Sequence, residues 1–268
     1  MSDASELSPF DPDVPNPARM YDCFLGGSHN FAADRAAAGR VEENVPWVVA
    51  AVRANRFFLG RAVRFCLAEG VDQFLDLGSG IPTVGHVHEV AQRVSPRARV
   101  AYVDVEPVTV ASAAALLDGD ARTTITAADM RDPDAVFDAP GVRDLLDLSR
   151  PVALLTVSVL HYLSDEDDPV ALVERYRRRL VPGSLHVLSH VTGDHDPDPM
   201  AAAERVYRGT ATPLTFRPRR RIEEMLAGTE LVEPGLVDAS QWRPQDPADA
   251  QHRGFWAGVG RIGQYRRV

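Results

Sequence analysis

Phe74-Leu75-Asp76-Leu77-Gly78-Ser79-Gly80 is the segment from which the architecture of this chain follows. An apolar run with a single carboxylate leads straight into a loop with two glycines. A strand buried on both faces has this continuous apolar character, and glycines let the backbone turn sharply into a helix. The pattern repeats downstream. Val71–Leu77 is a short strand and Val84–Val94 a helix. Ala98–Val103 is a strand, Val108–Leu117 a helix, Thr123–Ala127 a strand. Asp132-Pro133 places an N-cap before a first-turn proline, so a short helix follows. Pro151–Val159 is an uncharged strand. Asp168-Pro169 opens a helix to Leu180, Pro182-Gly183 stops it, and Leu185–Ser189 is the next strand. Apolar strands separated by helices make a parallel sheet covered on both faces. Helices are expected near Ala201–Arg208 and Arg219–Leu226. The ending, Leu231–Val237 with Phe255–Ile262, predicts an antiparallel pair at one edge.

Upstream, residues 1–15 hold Pro9, Pro12 and Pro15 with little apolar content, and they predict a disordered arm. Residues 16–70 are helical: Ala32–Val41 is alanine-rich, and Pro46 opens Trp47–Glu69, which Gly70 ends. The apolar residues of that last segment fall on more than one face, so it is packed on both sides or broken near Gly60. Residues 71–268 then form one ligand-binding sheet domain, with 16–70 as its helical lid.

The composition narrows the function. The chain has 268 residues with 29 basic and 38 acidic side chains, a net charge of −9, and 45% apolar content. Every basic residue is arginine, which suggests the codon bias of a high-GC bacterium. Without lysine there is no Schiff-base chemistry and no G-x-x-x-x-G-K-[ST] phosphate loop. The two cysteines, Cys23 and Cys66, suit reduced thiols in a cytosolic protein. The acidic, proline-rich start lacks the marks of a signal peptide, and no apolar run approaches the roughly 18 residues of a membrane span. A cytoplasmic protein with no membrane partner is expected. The charge is uneven: −12 over the first 200 residues and +3 beyond. An acidic chain argues against nucleic acid, whose binding needs phosphate-neutralising cations. The clusters Arg177-Arg178-Arg179 and Arg219-Arg220-Arg221 could meet an acidic ligand, but the pattern first predicts solvated helix surface.

In an open parallel sheet, ligands bind at the carboxyl ends of the strands. The residues there are Asp76 to Gly80, Asp104-Val105-Glu106, Asp129-Met130, Ser158 to Tyr162, and His190 to Asp194. Gly78 and Gly80 let the backbone approach a ligand. Asp104 can accept from both hydroxyls of a ribose, and Asp129 from an exocyclic amine such as adenine's. Together they describe an adenosine pocket. The third glycine of G-x-G-x-x-G is missing, which disfavours a dinucleotide and hence a nicotinamide oxidoreductase. Asp76 would repel a phosphate but can pair with an α-ammonium group. S-adenosylmethionine fits better than NAD.

At these residues the chain resembles a known class. Phe74 to Gly80 is similar to the first motif of class I S-adenosylmethionine-dependent methyltransferases, Val103-Asp104-Val105 to their second, and Ala128-Asp129-Met130 to their third. Leu180-Val181-Pro182-Gly183-Ser184-Leu185 resembles the turn before their fifth strand, with Ser184 in place of a glycine. A narrower resemblance starts at Asn16-Pro17-Ala18-Arg19-Met20-Tyr21-Asp22 and runs through Gly26-Gly27 to Asp34-Arg35. It is similar to the opening of a bacterial S-adenosyl methyltransferase family once filed as a domain of unknown function. Ile81-Pro82-Thr83, Val87 to Gln92 and Leu231 to Gly235 also resemble that family. The resemblance implies a Rossmann-like fold with a mostly parallel seven-stranded sheet and S-adenosylmethionine as cofactor, S-adenosylhomocysteine being the product. It implies that Asp76, Gly78 and Gly80 hold the methionine tail, Asp104 the ribose, and Asp129 with Met130 the adenine. Ser79, Val105 and Ser158 complete the cofactor wall. Arg19 would lie near the carboxylate and Tyr21 near the sulfonium, on a lid.

Methyl transfer is an in-line displacement in which the protein supplies alignment. His161, with Tyr162 beside it, is the best-placed candidate for a general base, and His190, Asp194 and His195 are candidates for the acceptor site. His86 and His88, two apart on a helix, would point to different sides, and H-E-x-x-H is absent, so no metal is expected. The expected function is a methyltransferase acting on a small molecule. A module that binds the cofactor for regulation, without transfer, is the alternative from a different class.

Overall fold

The structure is a computed structural model describing residues 11–81, 85–246 and 250–264. Its parallel strands are β1 (Gln73–Leu77), β2 (Arg99–Asp104), β3 (Thr123–Ala127), β4 (Ala153–Val157) and β5 (Leu185–Val191). β6 (Thr229–Leu231), β7 (Val237–Asp238) and β8 (Phe255–Ile262) complete an eight-stranded sheet. The order is β3-β2-β1-β4-β5-β8-β6, with β7 also paired to β8. β8 runs antiparallel to β5, β6 and β7. The α/β class and the antiparallel edge are as expected. The strand expected over Leu231–Val237 is instead split, which raises the count from seven to eight. Pro234 cannot donate to a ladder, and Gly235 at φ +86° closes a turn through its N–H to the Val232 carbonyl.

Alternate side chains of the strands enter two cores. Phe74, Val100, Leu155 and Val187 face one side; Leu75, Ala101, Leu154 and Leu188 face the other. The helices are α1 (Pro17–Phe24), α2 (Ala32–Asn44), α3 (Val48–Ala68), α4 (Val87–Val94), α5 (Pro107–Leu116), α6 (Pro133–Asp138), α7 (Pro140–Arg143), α8 (Pro169–Arg178), α9 (Pro197–Tyr207) and α10 (Arg219–Glu224). The first core takes residues from α1 to α5 and α9, the second from α6, α7, α8 and α10. Both cap-plus-proline starts form: Asp132 accepts from the Ala135 N–H and Asp168 from that of Ala171. α3 is unbroken at Gly60 and buries Val52, Asn55, Phe58, Leu59, Ala62 and Cys66. It ends in a Schellman turn, with Gly70 at φ +82° donating to Leu67 and Val71 donating to Cys66.

Of the expected arm, residues 1–10 lie outside the described residues. Residues 11–15 are tied down: Arg19 donates to the Val14 carbonyl, and the Ala211 N–H donates to Pro15. Pro82, Thr83 and Val84, which belong to one family motif and an expected helix start, also lie outside. Among the described residues no helix is long and apolar enough to cross a membrane. Strand order reverses between β1 and β4, and that crevice is where a ligand is expected.

Candidate functional site

A cleft of about 380 Å³ opens at the carboxyl ends of β1 to β4. Gly78, Ser79 and Gly80 form one wall. Gly78 sits at φ +66°, and a Cβ there would run into the Val159 side chain. Gly80 has the same φ but open space where a Cβ would stand, so conformation alone favours glycine there.

Three strand-end carboxylates line the cleft. Asp76, inside β1, is buried and pushed up to about 7, first by burial; Arg56 pulls it down and Asp104 raises it further. Asp104 ends β2. Its two oxygens accept the backbone N–H groups of Gly80 (2.8 Å) and Glu106 (2.9 Å), and burial raises its pKa despite them. A carboxylate has about four acceptor positions, so room for a further donor remains. Asp129, two residues beyond β3, is half-buried. It takes the Arg131 N–H and guanidinium, which together hold its pKa below the usual range against its burial. Met130, Val105, Ser79 and Ser158 also stand on the wall. Ser158, just past β4, has φ +60°, a conformation non-glycine residues seldom adopt. Its N–H donates to the carbonyl and to the hydroxyl of Ser189 (both 3.1 Å).

The N-terminal signature is wired to itself. Asn16 caps α1 and its N–H donates to Asp34. Asp22 accepts from His29 and Asn30, and Gly27 packs so closely on Asp22 that no side chain fits. Arg19, 2% exposed, does not line the cleft. It donates to Asp34 (2.8 Å) and Glu106 (3.0 Å), joining α1 to α2 and to the N-cap of α5. Two arginines line the cleft: Arg131, held on Asp129, and one on α3 that the sequence reading missed, Arg56. Its Nε is buried and makes no hydrogen bond among the described residues, and its guanidinium lies 5.6 Å from the Tyr21 ring. Beside it Asn55 donates to the Tyr21 hydroxyl, and its own buried Oδ1 has no partner among the described residues. α3 also carries Arg53, Arg61 and Arg64, so nothing in the spacing singles out Arg56.

Behind the cleft is a second, smaller cavity of about 40 Å³. Tyr21, Ser158 and Tyr162 stand on the walls of both. His161 faces only the smaller one. Its Nδ1 accepts the Val191 N–H (3.3 Å), which assigns the ring proton to Nε2. Burial, then His190 and Arg217, hold its pKa well below the usual value. Burial raises Tyr162 well above its own. His190 lies within β5, one residue past the expected strand end. It is fully buried between Arg217 and the Val191 carbonyl, away from both cavities. Arg217 also holds the turn containing His161 and Tyr162 through the carbonyls of Leu160 and Leu163. Asp194 and His195 are likewise absent from both walls; Asp194 accepts from Trp256 and Arg219, and His195 pairs with Asp238. His86 precedes α4 rather than lying on it, so its ring stacks on His88 (5.9 Å) instead of pointing away.

The cleft thus presents carboxylates to hydroxyls and amines, and a guanidinium to an anion, as an adenosine with an amino-acid tail requires. Comparison with known proteins agrees. The family model for S-adenosyl methyltransferases matches residues 3–263. A DUF574 family protein from Streptomyces avermitilis is 37% identical, with a TM-score of 0.90, over 94% of this chain and 99% of that one. A Thermobifida fusca protein assigned as a methyltransferase is 39% identical, with a TM-score of 0.88, over 94% and 96%. No curated protein matches the chain. The chain belongs to the S-adenosyl methyltransferase family, and it is an S-adenosylmethionine-dependent methyltransferase.

Proposed function

We propose that S-adenosylmethionine lies along the cleft with its tail toward Asp76 and Arg56, and that the methyl acceptor is a small molecule. One observation carries the placement: three strand-end carboxylates line a single cleft with Arg56, whose buried Nε has no hydrogen-bond partner among the described residues. On this reading Asp104 takes the ribose hydroxyls, and Asp129 with Met130 the adenine. Asp76 takes the ammonium and Arg56 the carboxylate, a role the sequence had pointed to Arg19 for. Gly78 to Gly80 lie under the tail. When bound, the cofactor supplies a methyl group on an activated sulfonium carbon.

The chain's own residues bind, orient and exclude water. Asn16, Pro17 and Ala18 at the start of α1, with Ala211 and Thr212, also line the cleft, and the Ala211–Pro15 hydrogen bond joins these two segments. Tyr21 and Tyr162 border the end that meets the smaller cavity. An aromatic face beside a cation is favourable by roughly 0.5–2 kcal/mol. His161 and Tyr162 act here by position. The His161 Nε2–H is a fixed donor and Tyr162 a neutral phenol, so neither takes a proton near neutral pH. A net charge of −9 favours a small acceptor over nucleic acid. The arginine clusters support this too, since Arg178, Arg179 and Arg221 are paired with Glu174, Asp134 and Glu224.

Titration calorimetry with S-adenosylhomocysteine tests the placement. Saturable binding is expected, weakened at least tenfold by Asp104→Ala; unchanged affinity in that variant refutes the ribose assignment. Methyl label from the cofactor should enter the small-molecule fraction of a cell extract, and label confined to protein or nucleic acid overturns the acceptor class.

A further inference from the structure

The smaller cavity differs in kind from the cleft it adjoins. Among the described residues its wall carries no charged side chain. Its polar groups are the three residues it shares with the cleft, together with His161 and Tyr207. The rest of the wall is apolar, and aromatic rings from distant parts of the chain converge on it: Phe24 from α1, Trp47 from the start of α3, Phe216 and Phe255 from the C-terminal half. A charged ligand placed here would lose its hydration with nothing to replace it, whereas a neutral ring gains edge and face contacts. About 40 Å³ is a few times the roughly 10–15 Å³ a cavity needs to admit one water and well under the ~150 Å³ that encloses benzene, so it takes the edge of a single ring, the rest of which stands at the junction with the cleft, and not a fused polycycle.

Three of these polar groups, Tyr21, Ser158 and Tyr162, sit toward the cleft. Ser158 holds a left-handed backbone conformation at the junction, fixed by two hydrogen bonds from its N–H to Ser189. Strain of this kind is concentrated at functional sites. It sets the end of β4 between the two spaces, where Tyr21 and Tyr162 also line both. A ligand seated in the cavity would therefore direct a heteroatom at the cleft and its apolar body away from it. The cleft itself lies at the small end of the ~300–1,000 Å³ of ligand pockets, so one molecule fills it.

We infer that this cavity is the acceptor subsite, and that it takes an uncharged, single-ring aromatic group whose heteroatom faces Tyr21, Ser158 and Tyr162. The inference rests on the cofactor lying in the cleft. It adds the chemistry of the acceptor, which nothing in that placement fixes.

The test uses four probes of similar size on the full chain saturated with S-adenosylhomocysteine: phenol, cyclohexanol, benzoate and benzylamine. Titration calorimetry and saturation-transfer NMR read binding without turnover. Phenol should bind saturably, with the two charged probes at least tenfold weaker and cyclohexanol between. Ala203→Phe fills the cavity from α9 and should abolish phenol binding; Val48→Phe does so from α3 if the first variant folds poorly. S-adenosylhomocysteine affinity, measured in each protein, reports whether the cleft is intact. Phenol binding that survives both filled variants overturns the site, and so does the absence of any probe binding. Benzoate or benzylamine binding as tightly as phenol overturns the uncharged class, and cyclohexanol doing so overturns the aromatic one. If S-adenosylhomocysteine itself fails to bind, the cofactor placement falls and the acceptor site falls with it, a result separate from all of these.

Discussion

The cleft and the cavity meet at Tyr21, Ser158 and Tyr162, yet they are assembled from opposite materials. The cleft is lined by ionisable groups: Asp76, Asp104 and Asp129 at three strand ends, with Asp22, Arg56, Glu106 and Arg131 among them. The cavity has no charged side chain among the described residues. Their origins in the chain differ as much. The cleft's carboxylates come from the ends of consecutive strands, where a βα repeat must place them. The cavity is closed by α1, α2, α3, the turn after β4, the end of β5, α9, the 214–216 segment and the start of β8. One space is suited to a ligand of known polarity in a fixed pose. The other is shaped by packing and is suited to shape and neutrality.

The largest effect that would test this division comes from Arg19. Its partners Asp34 and Glu106 are 0% and 7% exposed, so Arg19→Ala would strand two buried carboxylates. Removing one member of a buried ion pair costs about 3–5 kcal/mol. Urea unfolding should show that loss without any ligand present. If stability is unchanged and only cofactor affinity falls, Arg19 belongs to the ligand and not to the frame.

That contrast also shows what was legible in the sequence. The strand–helix alternation, the glycine loop and the three carboxylates were visible because their spacing is dictated by the sheet. Thr123–Ala127 and Phe255–Ile262 even have the expected ends. Arg19 was visible as part of a signature, but its geometry was not: whether a buried arginine meets a ligand or a pair of carboxylates depends on how α1 docks on α2 and the N-cap of α5. Arg56 was hidden for the opposite reason. It is one of several arginines on a long helix, and only the fold turns it, with Asn55, toward the cleft. The cavity was invisible altogether, since its rings, from Tyr21 to Phe255, are separated by more than two hundred residues and look individually like core. β7 was missed because two residues hold no periodicity.

Arg56→Met is the next largest perturbation. It keeps the length of the side chain and removes its charge. A hydrogen bond to a charged group contributes about 1.5–3 kcal/mol, so S-adenosylhomocysteine should bind roughly tenfold to a hundredfold more weakly. Adenosine lacks the amino-acid carboxylate and should lose little. Phenol binding in the cavity should be unaffected. Equal losses for S-adenosylhomocysteine and adenosine would place Arg56 elsewhere on the ligand, and a loss of phenol binding would break the separation between the two spaces.

The smallest effect is a pH dependence confined to the cleft. Asp76 ordinarily would ionise near 4, but burial moves it to about 7. Only its ionised form attracts an ammonium group. Below about pH 6 the carboxyl is mostly protonated and the attraction is absent; by about pH 8 it is mostly ionised and the attraction is complete. S-adenosylhomocysteine affinity should therefore rise about tenfold between those values. The sign matters, because an ordinary carboxylate would already be ionised at both and would give a flat profile. Bound ammonium also stabilises the ionised form, so protons should be released on binding near neutral pH, and the calorimetric enthalpy should change with the ionisation enthalpy of the buffer. Asp76→Asn should flatten the affinity profile and remove the buffer dependence together. Adenosine, without an ammonium group, should show neither in the unmodified protein, and phenol in the uncharged cavity should show neither as well. A tenfold rise that persists in Asp76→Asn would assign the titration to a different group and leave the tail without its proposed counter-charge.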